Sequence, residues 1–430
     1  MGLISSRRSS GRAWTTTAFL DVGSSKAVCF IARIENGNRP RIIGVGHTAG
    51  RGLKSGAIID IEAASKSIGT AVHAAEQMAD EQIGSVVVSI GGSSLSSFIG
   101  TANVAIDGRQ ITADDIRRSV NRMRPMAGDP DRQLIHSIPV QFTVDGQRGI
   151  NNPIGLSANR LDIDIHFVAA AQSAVRNLKA CVARAHLDVE AIVASPAASG
   201  LSCLVQDERQ MGATVIDMGA GTTSLAVFNE GLPVFCDVIP VGGQSLTIDL
   251  AKGLTTPLAH AERLKTLFGT PTSTLSDAED TIEVPQVGED GPGKTAAKPK
   301  SLIAGIIRPR LEEIFDLARS RLEMSGFDKL AGRRVVLTGG ASQLHGIRDL
   351  AEQRLDKKVR LGRPMASRGL ADSASGPGFA VTSGMLTYIN ERPPGAYPDM
   401  NPTAMAVGDY GAFQAGGFFG RMGEWVREHL

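Results

Sequence analysis

Two aspartates each close an apolar run and stand directly before a turn of small residues. One is Asp217 in Thr214-Val-Ile-Asp-Met-Gly-Ala-Gly-Thr-Thr-Ser-Leu-Ala-Val227, the other Asp21 in Leu20-Asp-Val-Gly-Ser-Ser-Lys26. Each stretch reads as strand, glycine-rich turn and strand, in which Gly219 and Gly221 open backbone angles closed to residues with a Cβ. Successive N–H groups of such a turn can form an anion-binding concavity. Thr222 and Thr223 add hydroxyl donors, and a carboxylate at the strand end could hold a hydrated Mg²⁺ beside phosphates. A single Asp-x-Gly turn is equally an ordinary hairpin with a capping aspartate, but the pattern occurs twice. Two copies imply two similar halves facing one cleft. A third element, Val335-Val-Leu-Thr-Gly-Gly-Ala-Ser342, is a buried-type strand running into a double glycine, where a flat ring could meet bare backbone.

These three motifs resemble the phosphate-1, phosphate-2 and adenosine motifs of the actin, sugar-kinase and heat-shock-chaperone superfamily. Within it the chain is similar to the FtsA family of bacterial cell-division proteins over roughly residues 16–390. The likeness includes Gly52-Leu-Lys-Ser-Gly-Ala57, Asn151-Asn-Pro-Ile-Gly155, Asn177-Leu178, Ile239-Pro-Val-Gly-Gly243, Ala261-Glu-Arg-Leu-Lys265 and Pro309-Arg310. The resemblance implies an α/β actin-like ATPase fold, two similar halves around a nucleotide cleft, with an inserted α+β subdomain called 1C. It implies ATP and Mg as ligands, with nucleotide binding carried onto Asp21, Gly23, Ser24, Ser25, Lys26, Asp217, Gly219, Gly221, Thr222, Thr223, Gly242, Gly243, Glu262, Lys265, Gly339, Gly340 and Ser342, and Mg near Asp21 and Asp217 through water. Glu262 and Lys265 would lie near the ribose; an ordinary i,i+3 surface ion pair is the alternative. Arg310 and Glu313 match the motif that meets the FtsZ C-terminal tail, with mutual pairing again the alternative. The implied function is an ATP-binding, filament-forming actin homologue that tethers FtsZ filaments to the cytoplasmic face of the inner membrane. Subdomain 1C would serve self-association and contacts with later division proteins.

The elements that must position these residues follow from periodicity. Residues 15–85 and 168–205 make the first half (1A), with a helical pattern over 61–78. Residues 86–167 form the insertion, with short strands at 103–106, 134–144 and 161–168 around one helix near 113–123. Residues 206–250 and 330–390 make the second half (2A), and 251–329 a subdomain 2B. Helical patterns at 244–253 and 260–268 precede a Pro/Gly/Thr-rich mobile loop, 270–300, and a long helix, 302–325. Residues 1–14 read as a disordered arm and 391–416 as a Pro/Gly-rich linker.

The last segment, 417–430, is an amphipathic helix pattern. At about 100° per residue, Phe418, Phe419, Met422, Trp425, Val426 and Leu430 share one arc of roughly 140°, opposite Arg421, Glu424, Arg427 and Glu428. Such a segment would fold on a lipid surface; docking on the protein's own core is the alternative. Two arginines offset by two glutamates leave apolar burial as the driving force.

Composition sets limits. With 430 residues the chain is expected to build more than one domain. Lys plus Arg number 45 and Asp plus Glu 44, so no global attraction to nucleic acid is expected. Cys29, Cys181, Cys203 and Cys236 are scattered and read as reduced structural thiols. No run reaches about 20 apolar residues and no signal-peptide core precedes Asp21, which predicts a cytosolic, peripheral protein.

Two motifs mislead. Met1-Gly-Leu-Ile-Ser-Ser6 fits a eukaryotic myristoylation pattern in a bacterial-looking chain. Gly288-Glu-Asp-Gly-Pro-Gly-Lys-Thr295 fits the P-loop pattern, but Glu283-Val-Pro-Gln is expected to interrupt any strand before it and Pro299 any helix after it. A metabolic kinase of the same superfamily is the competing function. It needs an acceptor-side carboxylate base, for which Asp60 and Glu62 are equally solvated loop and helix-start residues. A chaperone would need a peptide-binding domain, and only about 40 residues follow the core. Gln133, His136 and Gln141 are the polar candidates for orienting water.

Overall fold

The computed structural model describes residues 14–35, 40–126, 131–288 and 295–391. The arm before Trp14 and everything after Glu391, including the 417–430 segment, lie outside the described residues.

Two sheets share one topology. In the first, Trp14–Val22, Lys26–Glu35 and Arg41–Ala49 form an antiparallel meander, and Ser85–Ile90 and then Asp188–Ala194 add in parallel beside Trp14–Val22. In the second, Ala213–Met218, Thr223–Asn229 and Leu232–Ile239 form the meander, with Arg334–Thr338 and Lys358–Leu361 in parallel beside Ala213–Met218. Strands flanked on both faces are apolar throughout, as in Ala27 to Ala32, all fully buried. The helix Ile61–Ala79 covers the first sheet with Ala64, Ile68, Ala71, Val72 and Ala75, and Asp60 caps it by accepting the Ala63 N–H at 3.0 Å. Only glycine fits beneath it at Gly46, where a Cβ would stand 1.9 Å from the Ala71 carbonyl oxygen.

The halves are joined by two helices, Ser195–Cys203 and Ala380–Glu391, which cross closely. A Cβ on Gly384 would lie 1.7 Å from the Ala198 oxygen, and the Ser202 hydroxyl donates to the Ala380 carbonyl at 2.7 Å. Pro196 sits in the first turn of its helix, where no N–H is required.

Three boundaries differ from the sequence expectation. Trp14 already belongs to the first strand and not to the arm. Ser85–Ile90 is a strand of the first sheet, so the insertion begins after Gly91-Gly92. It comprises Leu95–Ala105, Arg132–Val144, Gln147–Ile150 and Arg160–Ala171 with the helix Ala113–Met126. Finally, the 270–300 stretch carries a short helix, Leu275–Glu279, and an antiparallel hairpin of Thr281–Pro285 with Thr295–Pro299. Prolines are tolerated here because both stand at the strand ends of a two-stranded ribbon, where a missing donor faces no ladder.

Candidate functional site: a cleft between two hairpins

Each aspartate is the last residue but one of the first strand of its meander, and the turn that follows is built the same way in both halves. Gly23 N–H donates to the Lys26 carbonyl at 2.9 Å, and Gly219 N–H to the Thr222 carbonyl at 2.9 Å. Each turn is backed by a glycine that admits no side chain. A Cβ on Gly50 would meet the Gly23 oxygen at 2.6 Å, and one on Gly242 the Gly219 and Ala220 oxygens at 2.7 Å. The carbonyls of Gly219 and Ala220 also accept from the N–H groups of Gly243 and Gln244 at the start of the helix Gly243–Leu254. With those carbonyls tied back, the amides of Ser24, Ser25, Ala220 and Gly221 make no backbone bond among the described residues. Free N–H groups on a turn of fixed shape are what an anion requires.

The two turns meet. A Cβ on Gly221 would stand 2.3 Å from the Ser24 Oγ, so the phosphate-type turn of one half lies against that of the other. The flanking acidic groups are coupled as well. Burial raises Asp21 above the ordinary carboxylate range, although the Ser89 hydroxyl donates to its Oδ1 at 2.5 Å and Lys26 opposes the rise. Asp217 is pushed up to about 7, first by burial and then by the charge of Asp21, against the Ser199 hydroxyl and Lys26. Lys26 is itself lowered by burial and raised by both carboxylates; its Nζ lies 3.5 Å from the Phe379 ring centroid. Two enclosed carboxylates that resist joint ionisation are relieved by an added cation. Among the described residues there is no set of three acidic, His or Cys side chains that could cage a metal. The residues therefore fit Mg²⁺ completed by phosphate oxygens and water, not a protein-only site.

The third motif closes one end. Gly339 has a φ of +88°, and a Cβ there would meet the Asp217 Oδ1 at 2.3 Å. Gly340 is open on its Cβ side, whereas Ser342 is buried and donates to the Gly339 carbonyl at 2.8 Å. Beside it a Cβ on Gly243 would meet Ala341 at 3.1 Å and the Lys265 Nζ at 3.7 Å. Lys265 bonds the Gly243 carbonyl at 3.0 Å, Thr247 at 2.9 Å and Glu262 at 2.7 Å. Glu262 and Lys265 thus form the i,i+3 pair and stand at the Gly243 edge of the cleft. Thr223 is turned away: it is fully buried, and its hydroxyl donates to the Val241 carbonyl at 2.8 Å.

Four neighbours of the site were not singled out for it from sequence: Ser89, Ser199, Phe379 and the Ser55-Gly56 turn. Ser89 carries a signal, being the polar residue that interrupts the apolar run from Val86 to Ile90, in a strand whose Val88 pairs with Leu20, next to Asp21.

The other candidates lie elsewhere. Arg310 clamps Asp249 with Nε at 2.7 Å and Nη2 at 3.1 Å, and its Nη1 meets Glu313 at 2.5 Å. It joins the helices Gly243–Leu254 and Ser301–Ser325. His136 is buried; its Nε2 accepts the Ala194 N–H at 2.9 Å, and burial lowers it to about 4. That places it as a strut between the insertion and the first sheet. The P-loop match fails on context, since Thr295 opens a strand and the next helix starts at Ser301. All four cysteines are buried and unpaired.

The comparisons agree with this architecture. A model of the family "Cell division protein FtsA" matches residues 214–384, and a model of the "SHS2 domain inserted in FTSA" matches residues 92–169. The chain is 39% identical over 419 residues to a cell division protein FtsA of Rhizobium meliloti, covering 95% of this chain and 93% of that one. It is 34% identical to that of Pseudomonas aeruginosa, covering 86% and 88%, and 29% identical to that of Escherichia coli, covering 96% and 97%. Among solved structures it is similar to a PilM-PilN type IV pilus biogenesis complex, with a TM-score of 0.62 at 18% identity and 89% and 99% coverage. It is also similar to MreB5 of Spiroplasma citri bound to ADP, with a TM-score of 0.53 at 15% identity and 88% and 97% coverage. At such identities the likeness shows the fold, which is actin-like. The chain belongs to the FtsA family of cell-division proteins.

Proposed function

We propose that the chain binds ATP with Mg²⁺ between the two hairpins and uses it to assemble into filaments that hold FtsZ at the cytoplasmic side of the inner membrane. The observation that carries the nucleotide reading is the approach of Gly221 to Ser24, which leaves the free amides of both turns around one point flanked by Asp21, Asp217 and Lys26. Ser24, Ser25, Ala220, Gly221 and Thr222 would hold the phosphates, Lys26 would neutralise them, and Gly340, Gly243 and Lys265 would border the nucleoside. Mg²⁺, when bound, supplies the positive charge that both carboxylates lack. Calorimetric titration with Mg·ATP tests this: Asp21→Ala and Asp217→Ala should each weaken binding strongly, and wild-type affinity in either variant would overturn it.

The remaining parts rest on family membership and local chemistry. Arg310, Asp249 and the more exposed Glu313 form a partly exposed charged cluster where the helices Gly243–Leu254 and Ser301–Ser325 meet, which supports a docking role for the FtsZ tail there. The insertion, a separate sheet and helix with its own core of Ile106, Ile111, Ile116, Val120, Leu161 and Ile163, suits contacts with other copies and later division proteins. No described helix is long and apolar enough to cross a membrane, so attachment is assigned to the amphipathic pattern of 417–430. One such anchor binds weakly, and a filament carrying many gains avidity.

A further inference from the structure

Lys26 stands within the field of both cleft carboxylates, yet it pairs with neither. Asp21 and Asp217 each favour its charged form, while burial opposes it. Among the described residues its Nζ nevertheless takes no ion-pair or hydrogen-bond partner. A half-buried ammonium with three unused donors is costly, and its cheapest relief within the protein would be to turn onto a carboxylate. What holds it away is an aromatic ring. The Nζ lies 3.5 Å from the Phe379 ring centroid, well inside cation–π range. Such a contact steadies the charge through the π face and uses none of the N–H donors.

Both partners are fixed where they join the fold. The Lys26 carbonyl accepts the Gly23 N–H at 2.9 Å, and Lys26 pairs with Ala49 in the first sheet, so only its side chain is free to move. Phe379 ends the short turn Pro377–Phe379, directly before the helix Ala380–Glu391. Its ring stacks on buried Phe30, with centroids 6.1 Å apart and planes 18° from parallel, and meets His47 edge-on at 5.9 Å. These two contacts set the plane on which the ammonium rests. Gly378 completes the seat. A Cβ there would stand 2.9 Å from the Lys26 Nζ, with the Lys26 Cε at 3.7 Å and the Gly340 Cα at 3.9 Å as the next nearest atoms. The ammonium is thus seated on the ring beside Gly378, and that glycine lies next to Gly340 of the third motif.

We infer that Phe379 is a positioning residue for Lys26: its ring keeps the ammonium off Asp21 and Asp217, so that the N–H groups stay available to the phosphates of a nucleotide. This rests on the nucleotide reading of the cleft. Without the ring, Lys26 would swing onto a carboxylate, and that pair would quench both the cation that phosphate needs and an anion that Mg²⁺ needs. The test measures binding of Mg·ATP to the full chain by calorimetry, with thermal unfolding recorded without nucleotide. Phe379→Leu should lower affinity about tenfold, the scale of a desolvated cation–ring contact, whereas Phe379→Tyr, which keeps a π face, should lower it less than about threefold. In a Lys26→Met background Phe379→Leu should cost less than about twofold, because both changes act through one ammonium. A tyrosine variant as weak as the leucine variant, or the full loss repeated in the Lys26→Met background, would overturn the inference and leave the ring a packing residue. Should Phe379→Leu not fold, or Lys26→Met bind too weakly to titrate, Gly378→Ala decides. Its methyl group displaces the Nζ and crowds no other atom, so a loss of about threefold or more supports the role and a smaller one refutes it. A wild-type chain that binds no nucleotide would instead show that the cleft reading itself had failed.

Discussion

Replacing Asp217 by Asn should stabilise the nucleotide-free protein, and by an amount that depends on pH. In the folded chain the Asp217 carboxyl is raised from 3.8 to about 7, first by burial and then by Asp21. The folded state therefore keeps a proton that the unfolded chain releases near pH 4, and it is penalised as pH rises from there to about 7. Above pH 7 the penalty is constant. At 1.36 kcal/mol for each tenfold change in proton affinity, it reaches about 4 kcal/mol. Asn is nearly isosteric and cannot ionise, so the difference in unfolding temperature between Asp217→Asn and wild type should grow from pH 5 to 7 and then level off. The difference is the useful quantity, because the contributions of buried His136 and His166, lowered in the folded chain from an ordinary 6.5, also change with pH in this range and cancel between the two proteins. Saturating Mg·ATP should reverse the order: wild type gains stability by ligand linkage, and the variant gains little. Scanning fluorimetry of the full chain from pH 5 to 8, with and without Mg·ATP, measures both effects. Parallel curves for the two proteins across this range would refute the claim that Asp217 is held protonated by burial and by Asp21.

Arg310→Glu should lose stability as well as FtsZ-tail binding, because it would place a third carboxylate beside Asp249 and Glu313. Glu313→Ala leaves the Arg310–Asp249 clamp intact, so unfolding should move by no more than about 0.5 kcal/mol while affinity for an FtsZ C-terminal peptide falls; unchanged affinity would remove Glu313 from the site. His166 is fully buried and lowered to about 3 by burial and then by His136, below the ordinary 6.5. Its contribution is complete above pH 6.5 and is lost as pH falls toward 3, so His166→Phe should flatten the decline in unfolding temperature between pH 6.5 and 5. Trp425→Glu should release the full chain from liposomes in a flotation assay with ATP binding unchanged, and vesicle binding by a chain ending at Pro398 would place the anchor elsewhere.

The hairpins were legible because the chemistry they need leaves a local mark: an acidic residue after an apolar run, then small residues, twice. The parallel strands are legible as apolar runs, although the sequence pattern places residues 86–90 in the insertion and not in the first sheet. A strand buried on both faces reads the same whichever sheet it joins, and only the Gly91-Gly92 break marks where the insertion starts. Residues that meet from distant parts of the chain were not legible. Ser89, Phe379 and Gly56 reach the cleft through sheet register and helix crossing, and no local spacing records that. Thr223 shows the converse, since its type suited phosphate but alternation along the strand turned it inward to Val241. The Thr281–Pro285 strand was missed because proline argues against central strands, and this one ends a two-stranded ribbon.

The central claim is that both hairpins hold one magnesium nucleotide, and an experimental structure of the full chain with Mg²⁺ and a non-hydrolysable ATP analogue tests it most directly. The phosphates should lie between the Gly23–Lys26 turn and the Gly219–Thr222 turn, with the metal beside Asp21 and Asp217 and the base against Gly340. A nucleotide bound to one hairpin alone, or at residues 288–295, would contradict it.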